Sequence, residues 1–350
     1  MRNALITGIT GQDGAYLAKF LLEKDYKVFG TYRRLSTPNF WRLQELNIYE
    51  DINLISADLI DMSSMIEAIE LSKPREVYNL AAQSYVGASF EQPIATAEIT
   101  GISVPRILEV IKKINPKIRF YQASTSELYG SGHSKSQNEN SSFMPSSPYA
   151  AAKLYAHWIT KIYRESYGLF AANGILFNHE SPLRGLEFVT RKISNSVAQI
   201  KLGLKEKIKL GNIYSMRDWG YAPEYVEAMW KILQQDKPDD YVIATGEEHS
   251  VLEFAELAFQ VVGLNWKDYV IIDENLKRPL DVNFLKGDIQ KAKNLLGWKP
   301  KTNFQELIKI MVEEDLNKWK RWLKGERFPW DASTYPSEGK ILSNKFKLDI

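Results

Sequence analysis

Cysteine is absent from the 350-residue chain, which excludes disulfides and thiolate metal sites and fits a reducing compartment. Long apolar runs are missing too. None approaches the roughly 18–20 residues that a membrane-spanning helix needs. An excess of one charge is also lacking. The formal charge is +2, with Lys and Arg interspersed among Asp and Glu, so neither nucleic acid nor a membrane surface is expected as a partner. Histidine is scarce, with four scattered residues and no ligand spacing, and no metal site is expected. There is no internal repeat and no low-complexity segment. The opening MRNALITGIT enters a strand pattern at once, which predicts no signal peptide and a cytoplasmic protein. What is present is 44% hydrophobic residues over 350 positions, enough for a large core and two lobes.

The first half alternates short apolar runs with helical patterns. Strands are predicted over 3–8, 26–32, 52–59, 76–82, 119–124 and 170–178, with helices over 12–24, 62–72, 94–114 and 147–167. That rhythm predicts an α/β fold: a Rossmann-type, doubly wound parallel sheet built from right-handed βαβ units. Beyond residue 178 loop-like segments are interleaved with helical patterns at 190–202, 222–234, 251–262 and 303–323. Short strands are expected at 241–246 and 270–273. The expected organisation is a cofactor domain over 1–178 and mainly a substrate lobe of α/β type over 179–325, with some segments returning to the first domain. A tail over 326–350 has no assigned role.

Directly after the first strand comes TGITGQDGAYL, with Gly8, Gly11 and Gly14 between a predicted strand and a predicted helix. Glycines there allow a tight turn, close approach of backbone to a pyrophosphate, and close packing of the next helix. The helix N-terminus then offers unpaired N–H groups to phosphate. At the end of the second strand an NAD site usually carries an acid, but this chain has Arg33 and Arg34. Two arginines suit a 2′-phosphate, so NADP is the expected cofactor; the alternative is a solvated turn.

Tyr149 and Lys153 lie four residues apart at the start of the long helix and share one face of it. A phenol titrates near pH 10, and a nearby cation would favour the phenolate and bring it into working range as a base. The strand RFYQA ends on Ser124, Thr125, Ser126 and Glu127, groups costly to bury unless they are paired. At the carboxyl edge of such a sheet they would surround a sugar lying over a nicotinamide. The alternative is that Thr125 and Ser126 cap the next turn and Glu127 points to solvent.

LITGITGQDGAYL, NLAAQSYVGASFEQP, RFYQASTSELYG, SPYAAAKLYAHWIT, NGILFNHESP, FVTRKI, RDWG and LGWKP together resemble the extended short-chain dehydrogenase/reductase superfamily, and within it the GDP-mannose 4,6-dehydratase family. NHESP, VTRKI and RDWG are the more specific segments. The resemblance implies a homodimer or homotetramer that takes GDP-mannose or a related GDP-sugar. It implies that Thr125 and Tyr149 hold the C4 hydroxyl, with Tyr149 taking its proton. Lys153 would lower the Tyr149 pKa and bind the nicotinamide ribose, and Glu127 would remove the C5 proton and serve the C6 step. The resemblance also implies cofactor contacts from Gln12, Asp13, Asp58, Leu59, Leu80, Ala81, Ser84 and His179. Substrate contacts are implied for Ser84, Ser126, Asn178, Val189, Lys192, Gly211, Arg217, Arg278 and Asp281. The chain departs from the family pattern at Leu183 and Ser146, where Arg is usual, and at Asp281, where Glu is common. The loops after Arg34 and at 130–144 differ as well. Three other readings remain at this point: the same chemistry on another GDP-sugar such as a GDP-heptose, a GDP-sugar C4 reductase or epimerase, and a cofactor-sensing binding module.

Overall fold

A computed structural model describes residues 2–36, 39–131, 135–276, 282 and 284–326. Seven strands form one sheet: β1 (Arg2–Thr7), β2 (Tyr26–Tyr32), β3 (Asn53–Ser56), β4 (Glu76–Asn79), β5 (Arg119–Thr125), β6 (Ala171–Leu176) and β7 (Asp240–Ile243). Their order across the sheet is β3-β2-β1-β4-β5-β6-β7, with every neighbouring pair parallel. This is the doubly wound Rossmann arrangement. Its strand order reverses between β1 and β4, the switch point where such sheets bind ligands.

Burial follows from this layering. A parallel sheet covered on both faces needs near-continuous apolar strands, and every residue of β6 is buried, as are all but the first of β5. Alternate residues divide between the two faces. Ala4, Ile6 and Tyr121 join a cluster with Leu17 and Leu21 of α1 (Gln12–Leu22). Leu5, Val77 and Phe120 join another with Met65 and Ile69 of α2 (Met62–Ser72), and with Ile107 and Ile111 of α3 (Ser103–Ile114). Ala156 and Tyr163 of α4 (Pro148–Tyr167) complete the second cluster.

The helix predicted over 94–114 is broken. It runs as a short helix at Pro93–Thr96, a π-helical stretch at Ala97–Ile102, and then α3. Pro105 has no N–H to give the carbonyl four residues back, so a wider turn there relieves a defect that an unbroken α-helix would carry. Gly101 sits in that turn, where a Cβ would come within 3.2 Å of the Ala152 carbonyl of α4.

The described chain divides into two units, within residues 1–179, 217–248 and 280–302, and within 180–216, 249–279 and 303–350. The first unit holds the sheet and α6 (Ala222–Gln234). Asp218, fully buried, ties its late segments together: its carboxylate accepts from Thr245 N–H and Oγ1 (both 2.7 Å), Gly246 N–H (2.9 Å) and Gly287 N–H (3.2 Å). The second unit packs α5 (Val189–Lys201), α7 (Val251–Val261) and α8 (Phe304–Leu323) on one another. It adds a parallel strand pair, Ile208–Leu210 with Val270–Ile272. Capping boxes start α7 at Ser250–Glu253 and α8 at Asn303–Glu306. In its interior Asp315 accepts from Arg191 Nε (3.1 Å to each oxygen), from Arg191 Nη2 and from Ser194 Oγ (2.6 Å). Among the described residues no helix is long and apolar enough to cross a membrane.

Candidate active site

Strand β5 delivers Thr125 to the carboxyl edge of the sheet, where the chain turns into a 3₁₀ segment at Ser126–Leu128. Thr125 Oγ1 accepts the Glu127 N–H at 3.3 Å, so the capping interaction is present, and the hydroxyl proton stays available to a ligand. The Glu127 side chain is half-buried, and Ser126 is buried.

Helix α4 starts beside this turn for local reasons. Ser147 caps it through the Ala150 N–H (3.0 Å), Pro148 takes the first position, and Gly168, with φ of 66°, ends it. Its polar residues are tied to the strands. Lys153 Nζ donates to the Ala123 carbonyl at 2.7 Å. Ser124 Oγ lies 3.3 Å from His157 Nδ1. Arg164 reaches Asp240 with two bonds of 2.8 and 3.0 Å. Because Lys153 is fixed against β5, Tyr149, one turn earlier on the same face, is set at the end of that strand and is itself buried. The Lys153 ammonium lies 5.9 Å from the Tyr149 ring centre. Burial lowers the Lys153 pKa to about 8, with the Asp13 carboxylate pulling the other way.

The glycine turn has the form a dinucleotide needs. Gly8 adopts φ of 72°, and a Cβ there would lie 2.9 Å from Ala81 backbone. A Cβ on Gly14 would come within 2.4 Å of the Gly8 carbonyl, so α1 packs as closely as it does only with glycine at that position. Gly11 immediately precedes α1 and leaves its first N–H groups without a side-chain cap. Thr7 Oγ1 accepts from Leu80 and Ala81 N–H, both at 3.1 Å, which joins the ends of β1 and β4 at the switch point. Arg33 and Arg34 follow β2 and are exposed. Asp58 is half-buried and Leu59 buried after β3, and Ser84 is exposed in the loop after β4. This cradle fits a dinucleotide.

His179, directly after Asn178, has both ring nitrogens engaged: Nδ1 with the Phe177 carbonyl (2.7 Å) and Nε2 with Asp13 Oδ2 (2.8 Å). Each partner is an acceptor, so the ring either carries two protons or shares one with Asp13. Gln12 Nε2 bonds Asp13 Oδ1 at 2.9 Å and the His179 carbonyl at 3.1 Å, and Tyr225 stacks on the imidazole 4.7 Å away. The first unit therefore brings together Gly8, Gly11, Gln12, Asp13, Gly14, Leu80, Ala81, Thr125, Glu127, Tyr149, Lys153 and His179 along one sheet edge. Asn178 and Arg217 belong to that unit as well, and the Asn178 amide oxygen is buried without a hydrogen-bond partner among the described residues. Val189, Lys192 and Gly211 are in the second unit, and a Cβ on Gly211 would lie 2.8 Å from the Leu276 carbonyl. Arg278 and Asp281 lie outside the described residues.

Sequence reasoning missed His157. Its spacing of four from Lys153 was the available signal, since it puts the imidazole on the same helix face. Burial lowers its pKa to about 4. Among the described residues no three potential ligand side chains gather as a metal site.

The doubly wound sheet, the glycine turn and the Tyr–Lys helix define a protein of the extended short-chain dehydrogenase/reductase class. The sequence profile of the GDP-mannose 4,6 dehydratase family matches residues 5–311. The chain belongs to that family. It is 54% identical over 330 residues to GDP-mannose 4,6 dehydratase 1 of Arabidopsis thaliana, covering 91% of both chains. It is 50% identical to the GDP-mannose 4,6 dehydratase of Homo sapiens over 339 residues, covering 89% of this chain and 91% of that one. A dTDP-glucose 4,6-dehydratase of Streptomyces venezuelae, solved with NAD and TYD bound, shares the fold with a TM-score of 0.81 at 22% identity, over 92% of this chain and 98% of that one.

Proposed function

We propose that this protein converts GDP-mannose to GDP-4-keto-6-deoxymannose with release of water, using NADP. The reading rests above all on one observation: Thr125, Glu127, Tyr149 and Lys153 lie at the end of β5 and the start of α4, in a chain of the GDP-mannose 4,6-dehydratase family.

Each residue then has a task set by its chemistry. Tyr149, as phenolate, takes the proton of the C4 hydroxyl, with Thr125 holding the same oxygen. The Lys153 ammonium favours the phenolate and loses less to solvent because it is buried. Bound in the cradle, the nicotinamide would accept hydride from C4 and return it to C6. The C4 ketone acidifies the C5 proton, which Glu127 removes. That proton leaves with the C6 hydroxyl as water, and a solvent proton, matching the one Tyr149 gives up to solvent, returns to C5 and completes the 6-deoxy sugar. Atoms and electrons balance, and the cofactor ends as it began. Arg33 and Arg34, exposed with no acid at the end of β2, favour a 2′-phosphate over a free ribose hydroxyl. The buried Arg217, in the same unit as the glycine turn, supplies positive charge for the nucleotide.

The test is incubation with GDP-mannose and either NADP⁺ or NAD⁺. A 4-keto sugar should form without net reduced cofactor, and faster with NADP⁺. Absence of product from every GDP-sugar tried would overturn the reading.

A further inference from the structure

In the second unit the Lys192 and Lys205 side chains lie near one face of α5, and among the described residues neither forms an ion pair. Val189, Lys192 and Ser196 recur at i, i+3 and i+7 on α5 and share one face. Lys205, from the loop after the helix, donates to Ser196 Oγ at 3.0 Å, which brings its ammonium to one turn from Lys192. Both lysines are half-buried. Among the described residues neither has a carboxylate within ion-pair distance. Asp273, the acid whose charge reaches Lys192, is already bonded by Lys209 Nζ (3.3 Å) and by Asn275 through its N–H and its side chain (both 3.1 Å). Burial lowers the pKa of both lysines, and Lys205 lowers that of Lys192 further. A pair of like charges held this way is unfavourable in the free protein. A ligand group made only of acceptors would relieve it.

We propose that Lys205 joins Lys192 in reading the acceptor edge of the nucleobase, O6 and N7 of guanine. This rests on the GDP-sugar reading above. Position along the helix separates base from phosphate. A phosphate is served by the N–H groups at the start of α5, which no side chain caps. The Lys205 ammonium is anchored two turns in, at Ser196, with apolar Val189 on the same face. Guanine offers two adjacent acceptors on that edge, whereas adenine places an amino donor where O6 would be, and a donor-only lysine pair rejects it.

The experiment is calorimetric titration of the full chain and of Lys205→Gln with GDP, IDP, ADP and inorganic pyrophosphate. IDP keeps both acceptors. The variant should bind GDP and IDP about tenfold more weakly, with ADP and pyrophosphate unchanged, and Lys205→Arg should recover GDP affinity. Equal loss for pyrophosphate would make Lys205 a phosphate holder, and unchanged GDP affinity would make it a surface lysine; either overturns the inference. If the unmodified chain binds ADP as tightly as GDP, the GDP-sugar reading itself falls, and the inference with it.

Discussion

Helices α4 and α5 each begin with polar side chains to which the proposed function gives a role, and the protein treats them in opposite ways. On α4, Lys153, His157 and Arg164 all end on protein groups: a strand carbonyl, a serine hydroxyl and a buried carboxylate. On α5 the buried Arg191 and Ser194 end on Asp315, while among the described residues Lys192 ends on no acceptor and has Lys205 for a neighbour. The α4 side chains, to which the proposed mechanism gives the chemistry, are held by the protein itself, which is what electrostatic preorganisation requires. On α5 the proposed role of Lys192 and Lys205 is to have their mutual repulsion relieved by an acceptor group of the nucleotide.

The widest expected effect separates two residues within the chemical end. Tyr149→Phe should block C4 oxidation, lowering turnover by about 10³-fold, with no reduced cofactor formed. Glu127→Gln should still permit that oxidation, so reduced cofactor accumulates while exchange of the C5 proton with solvent stops. Stopped-flow absorbance of the nicotinamide, with deuterium uptake at C5, reads both. Equal loss of C4 oxidation in the two variants would mean that the tasks are not divided this way.

Next in size is the buried pair under α5. Asp315→Ala takes away the carboxylate that balances the buried Arg191 charge and should cost about 3–5 kcal/mol of stability. Replacing both residues by apolar ones of similar volume, Arg191→Met with Asp315→Leu, should recover most of it. Urea denaturation checks the pair. If the double variant is no better than the single one, Asp315 does more than satisfy Arg191.

The smallest effect belongs to His157 on α4. Its folded pKa is lowered to about 4 by burial, against about 6.5 when unfolded. Between those values the unfolded chain binds a proton that the folded chain does not. Stability is therefore intact above pH 6.5 and falls as pH drops toward 4, by about 3 kcal/mol from this group. Thermal melts from pH 7 to pH 4.5 should show the decline, flattened in His157→Gln. An identical slope in the variant would assign the acid sensitivity to another group.

The sheet was largely legible in the sequence because its signals are local. The predicted strand at 26–32 and helix at 62–72 match the observed spans, and the glycine turn falls between β1 and α1. The π-helical stretch was not legible, since a helix pattern with one proline reads as continuous until Pro105 meets the carbonyl of Gly101. The short strand predicted at 241–246 gave no sign of its place as the outermost strand beside β6, because parallel pairing is decided by distant segments. Within the candidate site the residue types were readable, but their anchors were not. The Ala123 carbonyl that holds Lys153 is backbone and leaves no trace in the sequence. Asp218 stood out only as part of RDWG, and its four donors come from residues 245, 246 and 287.

The order in which the sheet is assembled bears on synthesis. Six of its strands are complete by Leu176, but the seventh begins only at Asp240, after the chain has supplied the first stretch of the other unit. A nascent polypeptide emerging from the ribosome therefore carries the bare edge of β6 for some sixty residues of further translation, a period in which it could pair with a neighbouring chain. Fragments cut near residue 179 should for the same reason aggregate rather than behave as an isolated cofactor domain.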